Sequence, residues 1–447
     1  MSTHSDGISE ADFEAIFQEV LSEDAINAMR RQFRRSAAGV PPQLADHLLI
    51  MGLVFHALLP CGLLSSHVRQ LTGHHIGDSS ISQRREAMGA DLFQALLAQA
   101  LGPLAEPTAH THAFYKGLRL VGIDGTTWSV SNTPPIKSSV RKTRSRRGSA
   151  AFYKLGMTAL YELGTHNPLA ARIGQDRESE MALALPLLDT LHADWLLIAD
   201  RYYGVAKFVS RLLALPSKPR FLVRARDNLK RKVIERFRDG SCLIEIREAA
   251  TGTRVLLREI YARVRCRSGR WVSVRLWTNL LNPHTYPAGE LVRLYGRRWE
   301  HETAYKQIKL NLRRSPLLLS HTLTTAAQEI CCLVLAQTIV ARIRLSAAGT
   351  QHPPLQISFI QTLHLCRSVW TITTVFRDLL PPELLPLMFR RVLVLLGQQP
   401  SRPRRARSCP RALPCRGASA RSPNTRASGR GSCPGRRRGR LRRIPVR

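Results

Sequence analysis

Leu118-Arg119-Leu120-Val121-Gly122-Ile123-Asp124-Gly125-Thr126-Thr127 is the stretch that decides how this chain is read. Leu118–Ile123 is a short apolar run of strand type, and Asp124-Gly125-Thr126-Thr127 is read as the turn that ends it. The pattern returns at Trp195–Ala199, another buried strand, which runs into Asp200-Arg201-Tyr202-Tyr203-Gly204. Two carboxylates therefore stand at the carboxyl ends of two strands, where open α/β sheets place their active sites.

The elements around these runs follow from periodicity. Phe152–Leu160 and Pro168–Ile173 read as strands joined through a turn at Gly164–Asn167, and Ser179–Leu191 reads as helix. A helix over Val205–Leu215 stops before Pro216. From Phe221 to Leu280 the composition turns β-rich, with strands at Phe221–Ala225, Cys242–Ile246, Arg254–Val264 and Trp271–Trp277. A long helix then spans roughly Ala288–Leu312, and residues 322–345 and 354–398 are helical again. This order describes an α/β layer fold. Residues 9–105 read as a small all-α module. Ser9 and Asp12 cap a first helix with Phe13, Ile16, Phe17 and Val20 on one face, and Gln43–Leu64 is a second helix. Ser79–Ser82 punctuates before a third at Arg84–Leu101. Basic patches stand at Arg30–Arg35 and Arg84–Arg85.

The charge balance names a class of partner. The chain has 447 residues, with 67 Lys plus Arg against 32 Asp plus Glu, a formal net charge of +35. Sixteen Arg and no acid fall after residue 400, and without them residues 1–400 still carry +19. Such an excess suits a polyanion whose counterions are released on binding. The nine Cys form no C-x-x-C pair, which argues against a zinc ribbon or redox motif. The acidic, polar start lacks a signal-peptide profile, and apolar stretches such as Ile330–Ile343 read as too short or too polar to span a bilayer. A cytoplasmic protein that binds nucleic acid and no membrane is expected. Residues 400–447, rich in Arg, Pro, Ser and Gly, cannot bury enough surface to order themselves and are expected to be disordered.

The long helix carries the third carboxylate. Tyr295, Arg298, Glu302 and Lys309 lie at offsets of 0, 3, 7 and 14, roughly 0°, −60°, −20° and −40° around a helix turning about 100° per residue. One face thus joins a carboxylate to an aromatic hydroxyl and two cations. Taken alone, that face is also what an exposed Arg298–Glu302 salt bridge would look like. Asp176, Glu178 and Glu180 read as an exposed helix start with favourable dipole placement. His301-Glu302 lacks the second His of a zincin, because Tyr305 stands in its place. Trp271 and Trp277 read as core residues, and the basic loop Lys137–Arg147 either lines a DNA groove or is a solvated loop.

The spacing Tyr295-x2-Arg298-x3-Glu302-x6-Lys309, with Asp124-Gly125-Thr126 and Asp200-Arg201-Tyr202 upstream, resembles the insertion sequence 4 family of bacterial DDE transposases. The likeness extends over about residues 115–345 and includes a β-rich insertion between the second Asp and the Glu, and the helical region 9–105 is also similar. It implies an RNase H-like catalytic domain at 115–345 with its insertion at about 215–285. A helical DNA-binding domain would precede it at 1–105, and a helical region would follow at 346–399. It further implies a nucleoid-associated enzyme that cleaves DNA at element ends and transfers the freed strand into target DNA. Asp124, Asp200 and Glu302 would be the catalytic residues and would hold two Mg²⁺, with Mn²⁺ able to substitute. Tyr295, Arg298 and Lys309 would bind DNA phosphates, and a homodimer would act on paired ends.

Elementary chemistry agrees with that ligand set. Phosphoryl transfer needs an activated oxygen and relief of charge at the phosphate, which two cations held by carboxylates supply. Two other readings stay open. A nuclease on the same fold would keep the carboxylates without strand transfer. A non-catalytic DNA-binding remnant of a decayed element would fit the tail after about residue 400, which has the composition a frameshift in a GC-rich gene would produce.

Overall fold

One long strand, β1 (Leu118–Val130), is the axis on which the rest is assembled. The structure, a computed structural model, describes residues 13–33 and 44–402, except 141, 143, 146–147, 175–177, 228, 266–270 and 314. The hairpin β2 (Tyr153–Glu162) and β3 (Asn167–Ile173) pairs antiparallel along one side of β1. On the other side β4 (Trp195–Ala199) runs parallel to β1, and β5 (Arg220–Arg224) runs parallel to β4. The strands expected at 242–246, 254–264 and 271–277 form β7 (Cys242–Arg247), β8 (Arg254–Arg265) and β9 (Trp271–Thr278) and extend this same sheet, together with β6 (Lys232–Arg236), which the sequence did not reveal. The order is β3-β2-β1-β4-β5-β9-β8-β7-β6.

The mixed α/β architecture follows from burial on both faces of the sheet. Every residue of β4 is buried, which is why it reads as an unbroken apolar run. Along β1, Val121 and Ile123 face the helices Glu180–Leu187 and Ala206–Leu213, while Leu120 faces the helix Ala288–Tyr295. The turn expected at Asp124 is not there: β1 continues to Val130 because β2 pairs with it as far as Val130↔Tyr153. What ends at Ile123 is the ladder with β4, whose last pair is Ile123↔Ala199.

The helices Phe13–Val20, Asp46–Leu58 and Asp78–Ala100 share one hydrophobic core with the later helices Leu323–Ala348, Phe359–Val375 and Leu384–Gly397. The same core takes in Trp128, Tyr153 and Tyr161 of the sheet. Several residues of the basic patches turn inward. Arg30 and Arg84 both pair with Asp46, and Arg85 donates to the Thr325 carbonyl at 2.8 Å and to Gln328 Oε1 at 3.2 Å. Ser79–Ser82 lies inside the helix Asp78–Ala100, which kinks instead at Gly89, where φ is 75°.

Leu323–Ala348 starts with a capping box between Thr322 and Thr325. It is longer than its apolar centre at 330–343 indicated, and by length and composition it could cross a membrane. With 78% of its most apolar window buried in the protein, it is the core helix on which the others pack, so it is apolar all round. Ser9, Asp12 and nearly all of the tail expected over 400–447, from residue 403 onward, lie outside the described residues.

Leu335 is fully buried in this helix. Leu335→Ala is expected to destabilise the protein by about 2–5 kcal/mol, measured as the free energy of urea unfolding. A loss under about 0.5 kcal/mol, the size of a surface change, would mean that the helix is not the centre of the core.

Candidate active site

The β1–β4 ladder brings two acids together. Its last pair is Ile123↔Ala199, so Asp124 and Asp200 are the residues that directly follow it on the two neighbouring segments, Asp124 still within β1. Asp124 Oδ1 accepts from the amide of Gly125 at 3.0 Å, and Asp200 Oδ1 accepts from the amide of Tyr202 at 2.7 Å. Burial pushes the Asp124 carboxyl up to about 7, and the charges of Asp200 and Glu180 add to the shift. Arg298 and the Gly125 amide only partly oppose it.

Glu302 stands on the helix Trp299–Lys306. Its Oε1 accepts from Arg298 Nη2 at 3.1 Å, and the same guanidinium acts electrostatically on Asp124. Arg298 thus sits between the third carboxylate and the first. Burial works against its charge, but Tyr295, Glu302 and Asp124 together raise its proton affinity. Tyr295 is pushed up, first by burial and then by Asp200 and Asp124. Lys309 donates to Thr126 Oγ1 and, at 2.8 Å, to the Thr127 carbonyl, both on β1. Burial, with Arg313 and Lys154, lowers it to about 8.

The helix that carries these residues is not the single regular helix the spacing implies. Ala288–Tyr295 and Trp299–Lys306 are α-helical, Gly296–Arg298 is a 3₁₀ turn and Gln307–Leu312 is a π turn. The first overwinds and the second underwinds, so their departures from the regular wheel partly cancel between Tyr295 and Lys309. The helix is pinned to the sheet next to the acids. Tyr305 Oη donates to the Asp124 carbonyl at 2.6 Å, and His301 Nε2 lies 3.1 Å from the Ala159 carbonyl. A carbonyl only accepts, so that nitrogen carries the proton. Burial lowers His301 to about 3, which keeps the ring neutral.

Sequence reasoning missed two residues. Glu180 is not an exposed helix start: its Oε1 accepts from Gly125 N at 3.1 Å and from Tyr203 Oη at 2.8 Å. Burial and then Asp200 raise its carboxyl, against the two hydrogen bonds. Tyr203 is fully buried beneath the Asp200 loop. The available signal was Gly125, a glycine whose missing side chain admits the Glu180 carboxylate. Asp176 lies outside the described residues. Trp277 is core and donates to Glu259 at 3.0 Å, whereas Trp271 is half exposed with Arg263 over its ring. Only part of the basic loop Lys137–Arg147 is described, and there Lys142 Nζ donates to the Ala151 carbonyl at 2.9 Å. Asp200 opens onto a cleft of about 590 Å³ that it lines with Arg201, Tyr202, Arg226 and Asp227.

Among the described residues, no three His, Cys, Asp or Glu side chains are gathered closely enough to hold a metal as they stand. Asp124 and Asp200 nevertheless fit a hard divalent cation, because they are oxygen donors whose negative charge their neighbours leave partly uncompensated. Glu302, also an oxygen donor, is held by Arg298 in the structure.

Comparison with known proteins identifies a family. The sequence profile of the transposase DDE domain family matches residues 115–338. The chain is 25% identical over 346 residues to the transposase InsG for insertion sequence element IS4 of Escherichia coli K12, covering 76% of each chain. It is also similar to a piggyBac transposase in a synaptic complex with hairpin DNA, at 11% identity and a TM-score of 0.45, over 86% of each chain.

Without divalent cations, Asp124 holds its proton up to about pH 7, whereas in an unfolded chain it lets go near 3.8. Between those values the native state binds more protons, so this group's contribution to stability falls as pH rises. Asp124→Asn keeps an acceptor oxygen and removes the ionisation. Its melting temperature in EDTA should match wild type near about pH 4 and exceed it by about pH 8. A difference that stays flat across that range would show that the carboxyl titrates normally.

Proposed function

Because the chain belongs to the insertion sequence 4 family of DDE transposases, we propose that it cleaves DNA at the ends of an insertion element. It then joins the freed 3′-hydroxyl to a target. The observation that carries this reading is the register of β1 and β4, which sets Asp124 beside Asp200. The fold is read as RNase H-like. An antiparallel β3-β2-β1 half, followed by β4 and β5 parallel to β1, supports that assignment.

Asp124, Asp200 and Glu302 would hold two Mg²⁺ or Mn²⁺ ions. When bound, such cations supply charge relief at the scissile phosphate and an oxygen nucleophile that is ionised near neutral pH. The protein's own part is to present the acids and to exchange partners at Arg298. In the structure that guanidinium holds Glu302. A phosphate group is likewise a bidentate partner for a guanidinium, so a DNA phosphate at this position would compete with Glu302 for Arg298 and free the Glu302 carboxylate. Tyr295 and Lys309 flank the same helix and would bear on the DNA backbone beside it. The N-terminal helices, residues 1–105, are assigned to DNA binding, residues 115–345 to catalysis and 346–399 to support. Paired element ends call for a homodimer, and DNA as substrate for a place at the nucleoid.

Oligonucleotide assays with the flanking element ends test this reading. Asp124→Ala, Asp200→Ala and Glu302→Ala should each abolish Mg²⁺-dependent cleavage and joining while leaving DNA affinity nearly unchanged. Joining of a labelled 3′-OH to a second duplex separates a transposase from a nuclease on the same fold. Strong joining activity in Glu302→Ala would contradict the assignment. Arg298→Ala should also reduce the slope of log affinity against log salt by about 1, the mark of one lost phosphate contact.

A further inference from the structure

Glu180 is the first residue of its helix, directly after the N-cap Ser179, on the connection from β3 to β4. A single oxygen of its carboxylate, Oε1, takes hydrogen bonds from two segments far apart in sequence. One comes from the Gly125 amide at 3.1 Å and the other from the Tyr203 hydroxyl at 2.8 Å. Gly125 directly follows Asp124, and Tyr203 lies three residues past Asp200. The carboxylate also rests against the Gly125 backbone: a Cβ on Gly125 would meet Glu180 Cδ at 2.3 Å and Cγ at 2.4 Å. Tyr203 is fully buried and packs on Phe208 at 4.9 Å, so its hydroxyl has a set direction. The parallel ladder between the two segments stops at Ile123↔Ala199, and Glu180 supplies a further link beyond it.

We propose that Glu180 is a positioning residue that bridges the Gly125 amide and the Tyr203 hydroxyl and thereby sets the separation of Asp124 and Asp200. It acts through Gly125, whose amide also donates to Asp124, and through Tyr203, the neighbour of Tyr202 whose amide donates to Asp200, as outer partners do around a metal site. This inference rests on the reading of those aspartates as cation ligands. The property required of the side chain is an oxygen that accepts two hydrogen bonds, which glutamine also provides.

The experiment is a Mn²⁺ titration of the full-length protein, followed by the electron paramagnetic resonance signal of free Mn²⁺, with folding checked by circular dichroism. Glu180→Ala should weaken Mn²⁺ binding by about 10–100-fold. Tyr203→Phe, which removes one of the two bonds, should fall between Glu180→Ala and wild type. Glu180→Gln should restore most of the affinity, and Mg²⁺-dependent cleavage should follow the same ranking. Wild-type Mn²⁺ binding in both Glu180→Ala and Tyr203→Phe would overturn the proposal. So would Glu180→Gln binding as weakly as Glu180→Ala, because the charge and not the bridge would then matter. Should Glu180→Ala fail to fold, Tyr203→Phe and Glu180→Gln decide alone by the same criteria. Asp124→Ala serves as the reference: unchanged Mn²⁺ binding there would sink the ligand assignment itself, whereas loss there with none in the Glu180 and Tyr203 variants would sink only the bridge.

Discussion

Five consecutive pairs between β1 and β4, from Arg119↔Trp195 to Ile123↔Ala199, are the constraint on which the site depends. Parallel neighbours lie about 4.8 Å apart, so two acids that follow the last pair are held close whether or not a cation is present. Burial, with the charges of Asp200 and Glu180 added, lets Asp124 keep its proton up to about 7. Packing on both faces of the sheet sustains this arrangement, because sliding one strand by a residue would turn every buried side chain to the wrong face.

The third acid depends on a different set of contacts. Tyr305 fastens the Glu302 helix to the Asp124 carbonyl, and His301 fastens it to β2. Gln337 of the central helix then accepts from Tyr161 Oη at 2.7 Å and donates to the Ala304 carbonyl at 3.1 Å. Gln328, farther back on that helix, donates to the carbonyls of Arg85 and Gly89 in the N-terminal region. The central helix therefore hydrogen-bonds both to the N-terminal helices, through Gln328, and to the Glu302 helix, through Gln337.

The parts legible in the sequence are those governed by local pattern. β1 and β4 announce themselves as apolar runs because they are buried on both faces, and the later strands through alternation. The spacing from Tyr295 to Lys309 is legible because four fixed offsets on one helix are a one-dimensional signal. Illegible were features decided by tertiary contact. Glu180 looks like any acid in a first helical turn, since nothing local says that Gly125 and Tyr203 face it. Arg30, Arg84 and Arg85 look like a nucleic-acid patch, since a charge count does not reveal Asp46 or Thr325 opposite them. The 3₁₀ and π turns are tied to anchors on β1 that are remote in sequence. Continuation of β1 past Asp124 was hidden by Gly125, which reads as a turn former but serves to admit a neighbouring side chain.

Anomalous diffraction from crystals of the protein bound to an element-end duplex in Mn²⁺ bears most directly on the central claim. The account predicts Mn²⁺ held by Asp124, Asp200 and Glu302, with Arg298 moved from Glu302 to a phosphate. No anomalous peak at Asp124, or an Arg298–Glu302 pair still closed over bound DNA, would contradict it.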